Sequence, residues 1–263
     1  MAFNMDGFIV DRIQFGVAED FNGNILYTLS QLQDASIEVT SESKEAKDAQ
    51  GVLIKKFYTG KSGTFTATNA LIDFNILAAA TGSPKKVANT GAKIKMPRII
   101  HVSKGTKTVD LKDVKEGTVS VVGLAANDTM IKKYTKNTQA SATQFSITGT
   151  TLTLPTDTEN NELARFLIKY DRDVENGIAI SNQANKYPST IRLTLKALAV
   201  DPCSTDTLRA CYIVLPSFQV SADTSMALST DATLDFKGDL QVDYCNPDKT
   251  LYEIYFAEDD VEE

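Results

Sequence analysis

The feature that most constrains the fold of this chain is a two-residue alternation of apolar and polar side chains, which recurs along most of the sequence. In Ser36–Thr40, Ile37 and Val39 alternate with polar residues, and Gly63–Thr68 repeats the pattern with threonine-rich content. Successive side chains of a strand point to opposite faces, so a half-buried strand shows this period. The pattern predicts a mostly β chain. Further strand-like runs are Val119–Val122, Phe145–Ile147, Leu152–Leu154, Phe166–Tyr170, Ile178–Ile180, Ile191–Val200, Ala210–Val214, Thr233–Val242 and Leu251–Phe256.

Residues typical of turns separate these runs. Asn22-Gly23 is a common two-residue hairpin loop, and Gly149 lies between two short alternating runs. We therefore expect a hairpin at Asn22-Gly23 and a second, tight hairpin from Phe145 to Leu154. Asn246-Pro247-Asp248 predicts the turn of a last hairpin, formed by the two C-terminal strands.

One segment, residues 69–81, has the pattern of a helix. Asn69 can cap its N-terminus, and Gly82 supplies a stop before a proline. Apolar residues recur at three- and four-residue spacing and predict one buried face. That face consists of Leu71, Phe74, Leu77 and Ala78. We expect a helix of about three turns packed on a sheet.

The length of 263 residues suits one large β domain, or one domain that carries a smaller inserted domain. Residues 101–170 differ from their flanks, since their strands are short, rich in Thr and Lys and interrupted by Asn-Asp and Lys-Asn turns. We therefore expect a β core from residues 1–100 and 171–263, with a small inserted β domain at 101–170.

Composition and charge exclude several classes of protein. The formal charge is -7, which is unfavourable for gripping phosphate backbones, because that affinity comes largely from Lys and Arg. No apolar run approaches the roughly 20 residues that span a bilayer, so we expect no membrane partner. The sequence begins without a basic stretch followed by an apolar one, so we expect synthesis and folding in a cytoplasm.

The cysteines do not have the spacing of a metal site. Cys203, Cys211 and Cys245 form no Cys-x-x-Cys pair, and the chain has a single histidine. Free thiols are the favoured interpretation, although a bridge between Cys203 and Cys211 across a turn is geometrically conceivable.

The catalytic and ligand-binding patterns of the sequence are each incomplete. His101 lies in a strand-like run, and no Gly-x-Ser-x-Gly or cysteine-protease signature accompanies it. Gly60–Gly63 contains Gly-Lys-Ser, but Lys55 stands where a phosphate loop needs glycine, and a strand follows instead of a helix. We expect a turn there. Asp171 and Asp173 lack the glycine and glutamate of a calcium loop. The chain is predicted to be non-enzymatic and to bind no cofactor.

The stretch from Leu32 to Ser83 resembles a segment of phage tail tube (major tail) proteins. The resemblance covers about half the chain and lies in pattern, without a diagnostic motif. It rests on Asp34–Thr40, a charged arm at Ser41–Gln50, Gly51–Tyr58, Gly63–Asn69 and the helix to Gly82, with similar style in Pro216–Ser221 and Thr233–Asp239.

The resemblance implies a β-sandwich or partly closed barrel with a flanking helix. Six subunits would form a ring, and stacked rings would form a tail tube that conducts DNA as passing cargo. The chain would assemble with itself and other virion proteins in the host cytoplasm and end in the virion. The arm would reach a neighbouring ring, and residues 101–170 would decorate the exterior. Implied subunit-interface residues are Glu42, Lys44, Glu45, Lys47, Asp48, Leu71 and Phe74.

Two alternatives stay open from the sequence. A phage capsid auxiliary or decoration protein would bind a preformed shell and need not polymerise alone. A non-enzymatic β-sandwich binding module would recognise, for example, a glycan, although the absence of tryptophan counts against a sugar-stacking platform.

Overall fold

A computed structural model of the chain describes residues 7–30, 32–157, 160–202, 204–230, 233–244 and 246–261. In chain order the described elements are β1 (Ile9–Glu19), β2 (Ile25–Leu29), β3 (Leu32–Lys47), β4 (Leu53–Asn69), α1 (Phe74–Thr81), β5 (Lys86–Val87), β6 (Ile94–Ser103), β7 (Thr108–Asp110), a 3-10 helix (Glu116–Thr118), β8 (Ser120–Leu124), β9 (Met130–Lys136), β10 (Gln144–Thr148), β11 (Thr151–Thr153), β12 (Arg165–Val174), β13 (Ile178–Ala179), β14 (Thr190–Asp201), β15 (Ser204–Val220), β16 (Leu234–Leu240) and β17 (Glu253–Val261). The prediction of a mostly β chain with one flanking α-helix is confirmed.

The chain divides into two compact units. Unit 1 comprises the chain up to Lys85 and from Ile180 onward, and unit 2 comprises Lys86–Ala179. Unit 2 extends beyond the predicted insert of residues 101–170 at both ends. The reason is that β6 and β12 pair continuously from Ile94 with Val174 to Ser103 with Arg165, so both strands run across the predicted boundaries.

Unit 1 is one curled antiparallel sheet in the order β2-β1-β14-β15-β16-β4-β3, with β17 also paired to β15. Its main core is formed by buried side chains of β1 to β4 and β14 to β16 together with Ile76 and Ala80 of α1. Phe65, Phe218 and Phe236 pack edge-on or tilted, with ring centroids 5.7–6.1 Å apart. The period-two pattern therefore identified the buried face of these strands.

The predicted last hairpin is wrong. β16 and β17 do not pair with each other, because both pair with β15 at different places along its length. Residues Phe218–Val220 of β15 pair with β16, and residues Arg209–Val214 of β15 pair with β17. A strand of 17 residues is long enough to accept two shorter partners in succession.

The turn predicted at Gly60–Gly63 is also wrong, because β4 runs through these residues without interruption. They pair in order with Glu42, Ser41, Thr40 and Val39 of β3. The hairpin at Asn22-Gly23 is confirmed, although its loop is longer than two residues and is closed from Asp20 to Asn24. The hairpin of β10 and β11 around Gly149 is confirmed as well.

The helix is shorter than predicted and its buried face differs. Asp73, not Asn69, is its N-cap and accepts a hydrogen bond from the Asn75 amide. Asn69 instead closes a local turn by accepting from the Leu71 amide. Gly82 is the left-handed C-cap, as predicted. The core contacts come from Ile76, Leu77, Ala79 and Ala80, whereas Leu71 and Phe74 are exposed.

Unit 2 contains a seven-stranded sheet in the order β6-β12-β8-β9-β10-β11-β7, in which β9 and β10 are parallel. A separate two-stranded ribbon, β5 with β13, joins its first and last residues. Its core is built around Tyr134, Phe166 and Tyr170, each at most 2% exposed.

Candidate assembly surfaces

One exposed part of unit 1 is the outer half of the β3–β4 hairpin, residues 41–62, which we call the arm. None of its residues is buried, although both of its strands are continuous with strands of the core. The predicted charged arm is therefore an extended two-stranded hairpin. Its length follows from the strand pairing, which continues from Ser41–Lys61 to Lys47–Leu53.

The arm carries apolar side chains on strand β4. Their exposed fractions range from 50% to 70%. They are Val52, Leu53, Ile54, Phe57 and Tyr58. These residues are not among the interface candidates predicted from sequence. The signal was present, since Leu53–Tyr58 shows apolar pairs around two lysines instead of alternation, and such a strand cannot place all its apolar groups on one buried face.

The apolar and charged groups of the arm are interleaved on both faces. Tyr58 lies opposite Ser43, and Phe57 lies opposite Lys44. The Lys55 ammonium is 5.1 Å from the Phe57 ring centroid, and that of Lys56 is 5.9 Å from the Tyr58 ring. Each face thus presents an aromatic ring beside a cation.

The sequence-predicted charged residues are brought together on β3 and at the tip of the arm. Glu42, Lys44, Glu45 and Lys47 are all exposed on β3. Glu45 and Lys47 form an ion pair of 3.0 Å, which contributes little to stability because both groups are solvated. These residues are therefore available for contacts outside the subunit.

Asp48 shapes the tip of the arm. Its carboxylate accepts hydrogen bonds from the Gln50 and Val52 amides at 2.9 and 2.8 Å, and Gly51 has a positive φ of 84°. Asp20 makes the same pattern with Asn22 and Asn24 in the β1–β2 hairpin. Hydrogen bonds from Asn24 are the main reason that the pKa of Asp20 lies below its usual value.

Leu71 and Phe74 lie away from the arm, in the loop before α1 and at its first residue. They are 61% and 39% exposed. The sequence pattern placed them in an apolar core face, and the structure leaves both accessible.

A second surface of unit 1 is the outer face of β3, β4 and β16, which we call the Thr–acid face. Along β4 it shows Thr64, Thr66 and Thr68. Thr64 lies between Glu38 and Asp239, and Thr68 pairs with Asp235. Lys237 lies in the middle row, opposite Thr66. The face is therefore polar, with three carboxylates against one ammonium group.

The sheet of unit 1 ends in two edges. The outer edge of β3 has no partner strand among the described residues, and β2 covers β1 only from Gly16 to Glu19. Residues Val10–Ile13 of β1 and Leu32–Ile37 of β3 line a cavity of about 410 Å³ with an apolar floor that includes Phe65. The sheet is thus curled but open at this place.

The residues considered from sequence for catalysis or calcium binding lie on β6 and β12. His101 is exposed on β6 opposite Leu167 of β12. Asp171 and Asp173 pair with Lys95 and Lys115 at 3.0 and 3.1 Å. Across the described part of the chain, no group of three His, Cys, Asp or Glu residues is placed to hold a metal ion.

Cys211 is a free and fully buried thiol, and burial raises its pKa. Cys203 and Cys245 lie outside the described residues. No helix in the described ranges has the length and apolar character needed to cross a membrane.

A cavity of about 360 Å³ lies between α1 and β2 and is mainly apolar. Lys85, the charged residue of its lining, donates a hydrogen bond of 2.6 Å to Asn75. The hydroxyls of Tyr27 and Ser83 are buried there without a hydrogen-bond partner among the described residues, and burial raises the pKa of Tyr27.

Comparison with known proteins gave one family. The model of the YomU/Tube protein family matches residues 7–252, a range that covers unit 2 and most of unit 1. A comparison with curated proteins gave no match.

Proposed function

This chain belongs to the YomU/Tube protein family, a phage-associated tube protein family, and we propose that it self-assembles as hexameric rings stacked into a phage tail tube that conducts DNA. In this role the protein is structural and non-enzymatic. The family membership favours a tube subunit over the capsid decoration protein and the glycan-binding module that the sequence alone left open.

The observation that carries this proposal is the arm. Monomeric proteins rarely leave several large apolar side chains exposed together, and such patches mark interaction sites. Ile54 and Tyr58 are 68% and 70% exposed, on strands that extend well past the core. Burying one such side chain against a neighbour contributes about 1.5–3 kcal/mol. A neighbouring subunit is the partner that the family implies.

Charge supports the same partner for the arm. The arm has five lysines and three acidic residues, in a chain whose formal charge is -7. A slightly basic arm is attracted to the acidic body of another copy, which speeds encounter and favours the correct partner. In this proposal Glu42, Lys44, Glu45, Lys47 and Asp48 make polar contacts around the apolar ones. We place Leu71 and Phe74 at a second subunit contact.

The two open edges of the sheet support contacts between subunits within a ring. The β3 edge of one copy can pair with the β1–β2 edge of the next, because unpaired strand edges bind extended backbone. Such a contact joins two different surfaces, and repetition of it gives either a closed ring or a filament. The arm then supplies the contact between rings.

The Thr–acid face is the surface that we assign to the lumen. Its three carboxylates repel DNA phosphates, and its threonines offer short polar side chains with no cation-rich groove for a backbone to follow. DNA would therefore pass without adhering. Unit 2 would decorate the exterior. Other virion proteins would meet the tube at its ends, after assembly in the host cytoplasm.

Electron microscopy of purified protein tests the proposal. Wild-type protein is expected to form rings or tubes at high concentration, seen by negative stain and by sedimentation velocity. The double variant Ile54→Ser/Tyr58→Ser should raise the concentration needed for assembly by about tenfold or more, because two exposed apolar anchors are lost.

Leu228→Ser is the matched control. Leu228 is 81% exposed in the connection between β15 and β16, away from the arm. The control should assemble as wild type, and circular dichroism should show that all three proteins keep their strands. Wild-type protein that stays monomeric at every concentration would refute self-assembly. Normal assembly of the double variant would refute the role of the arm.

A further inference from the structure

The outer face of four neighbouring strands in unit 2 is an open surface with an apolar centre. It is formed by β6, β12, β8 and β9, whose opposite face holds the core of unit 2. We call it the unit 2 face. Its two central rows contain Ile99, His101, Val122, Lys133, Leu167 and Lys169.

The strand register brings these side chains together in two rows. His101, Leu167, Val122 and Lys133 lie side by side across four strands. Ile99 and Lys169 are direct neighbours in the adjacent row. Ile99 is 58% exposed, and Leu167 and Val122 are half-buried by their neighbours. The apolar centre is thus flanked by two lysines and a histidine.

The two lysines of this face differ from other cations of the same unit. Lys95, Lys115 and Lys132 are each within 3.1 Å of a carboxylate. Lys133 and Lys169 have no carboxylate partner within the ranges that the structure describes. An exposed apolar centre beside uncompensated positive charge fits a partner that carries carboxylates.

Charge is divided unevenly between the units. Residues 86–179 contain 14 basic and 10 acidic residues, a formal charge of +4. The rest of the chain contains 13 basic and 24 acidic residues, a formal charge of -11. Every copy therefore combines a basic unit with a strongly acidic one.

We propose that the unit 2 face docks on the acidic unit 1 of a neighbouring copy. The proposal rests on the self-assembly proposed above. In a ring or tube, each copy holds acidic bodies of other copies at high effective concentration, so even a weak contact is occupied. We call this contact between the unit 2 face and unit 1 of another copy the clamp. It would stabilise the assembly in addition to the contacts of the arm and the sheet edges.

Charge reversal on full-length protein tests the proposal. Lys133→Glu/Lys169→Glu is expected to raise the concentration at half-maximal assembly by about tenfold, because like charges would then meet across the contact. The matched control Lys107→Glu/Lys112→Glu changes the net charge equally. Both control residues are exposed in unit 2 but lie outside the unit 2 face. The control should assemble as wild type.

Zero-length cross-linking gives a second measurement. Assemblies made from equal amounts of unlabelled and ¹⁵N-labelled protein are treated with a carbodiimide, which joins lysine to carboxylates in direct contact. Mixed-isotope peptides that link Lys133 or Lys169 to an acidic residue of unit 1 support the proposal.

The outcomes separate this contact from the proposed function. If the face variant assembles as wild type, or if the links from these lysines stay within one copy, the clamp is refuted while self-assembly stands. If the variant assembles normally but loses binding to an acidic polymer, the face serves a different partner and the clamp is also refuted. If wild-type protein does not assemble, the proposed function fails first.

Discussion

Unit 1 and unit 2 are both built from strands, but the strands differ in length and in how far they extend beyond the core. In unit 2 the strands are at most ten residues long, and their apolar faces meet in one core. In unit 1, β3 and β4 have 16 and 17 residues, and about half of each extends beyond the core as the arm. Strand length beyond the core therefore decides how much of the β3–β4 hairpin stays exposed.

The largest effects should come from removing one core aromatic side chain from each unit. Phe218→Ala should destabilise unit 1 and Phe166→Ala unit 2, each by about 3–5 kcal/mol, because a buried ring leaves a cavity. Both rings are 0% exposed. Hydrogen exchange read by mass spectrometry should show loss of protection confined to the unit that carries the substitution. Loss of protection in both units from one substitution would mean that the units unfold together, which would contradict two separately stable cores.

Gly238→Ala should have the next largest effect. A Cβ at this position would lie 2.2 Å from the Gln219 carbonyl oxygen and 2.6 Å from the Phe218 ring. We expect a loss of up to about 3 kcal/mol in the free energy of unfolding, measured by urea denaturation. Gly60→Ala, in the arm, meets no atom within 4 Å and is the control. An unchanged free energy of unfolding in Gly238→Ala would show that β16 can shift to accommodate the added methyl group.

Asp157 should make unit 2 the more acid-sensitive unit. This buried carboxylate accepts hydrogen bonds from Lys132 at 2.9 Å and the Tyr134 hydroxyl at 3.0 Å. The Lys132 hydrogen bond is the main cause that lowers the pKa of Asp157. A lowered pKa stabilises the fold above the unfolded value of about 3.9, and that contribution is lost as pH falls through the folded value.

Asp157→Asn should therefore lower the free energy of unfolding of unit 2 by about 2 kcal/mol at neutral pH. The further loss of unit 2 stability below about pH 4 should be smaller in this variant than in the wild type. Hydrogen exchange of β8, β9 and β12 as a function of pH measures both effects. Tyr134→Phe is the control, because it removes one hydrogen bond but keeps the charge pair. An unchanged acid response in Asp157→Asn would contradict this assignment.

The smallest effects are expected at two similar turns of unit 1, the tip of the arm and the loop between β1 and β2. Gly51→Ala and Gly23→Ala each force a side chain into a positive φ, at 84° and 82°, and should cost about 1 kcal/mol locally. Gly51→Ala should loosen the arm and raise the assembly concentration. Gly23→Ala should loosen the β1–β2 hairpin alone, as read by hydrogen exchange. Equal effects on assembly would weaken the distinction between arm and core.

The predictions from sequence were correct where they depended on residues that are close together in the chain. Ile191, Leu193 and Leu195 alternate with polar residues in the sequence and are buried in β14. The left-handed Gly82 was likewise identified from its place after an apolar run. The assignment of Leu71 and Phe74 to a buried face failed, because the capping residue Asp73 starts the helix later than the pattern indicates.

The candidate site was predicted in part. The interface residues that the resemblance implies include the charges of the arm but not its apolar residues, such as Ile54 and Phe57. Whether a strand is buried depends on what packs over it, and that is decided by residues far away in the chain. Between Ser41 and Lys61 nothing in the described part of unit 1 covers either face of the hairpin.

Side-chain alternation and backbone sterics are local, so the sequence established that this chain is mostly β, that alternate residues of strands such as Ile191–Leu195 are buried, and that turns lie at Gly23 and Gly149. The tertiary structure alone decided that β15 serves both β16 and β17, that β4 continues through Gly60–Gly63, and that β3 and β4 project as an arm. Pairing joins residues distant in sequence, so its outcome depends on strand lengths and on close contacts such as that of Gly238 with Phe218.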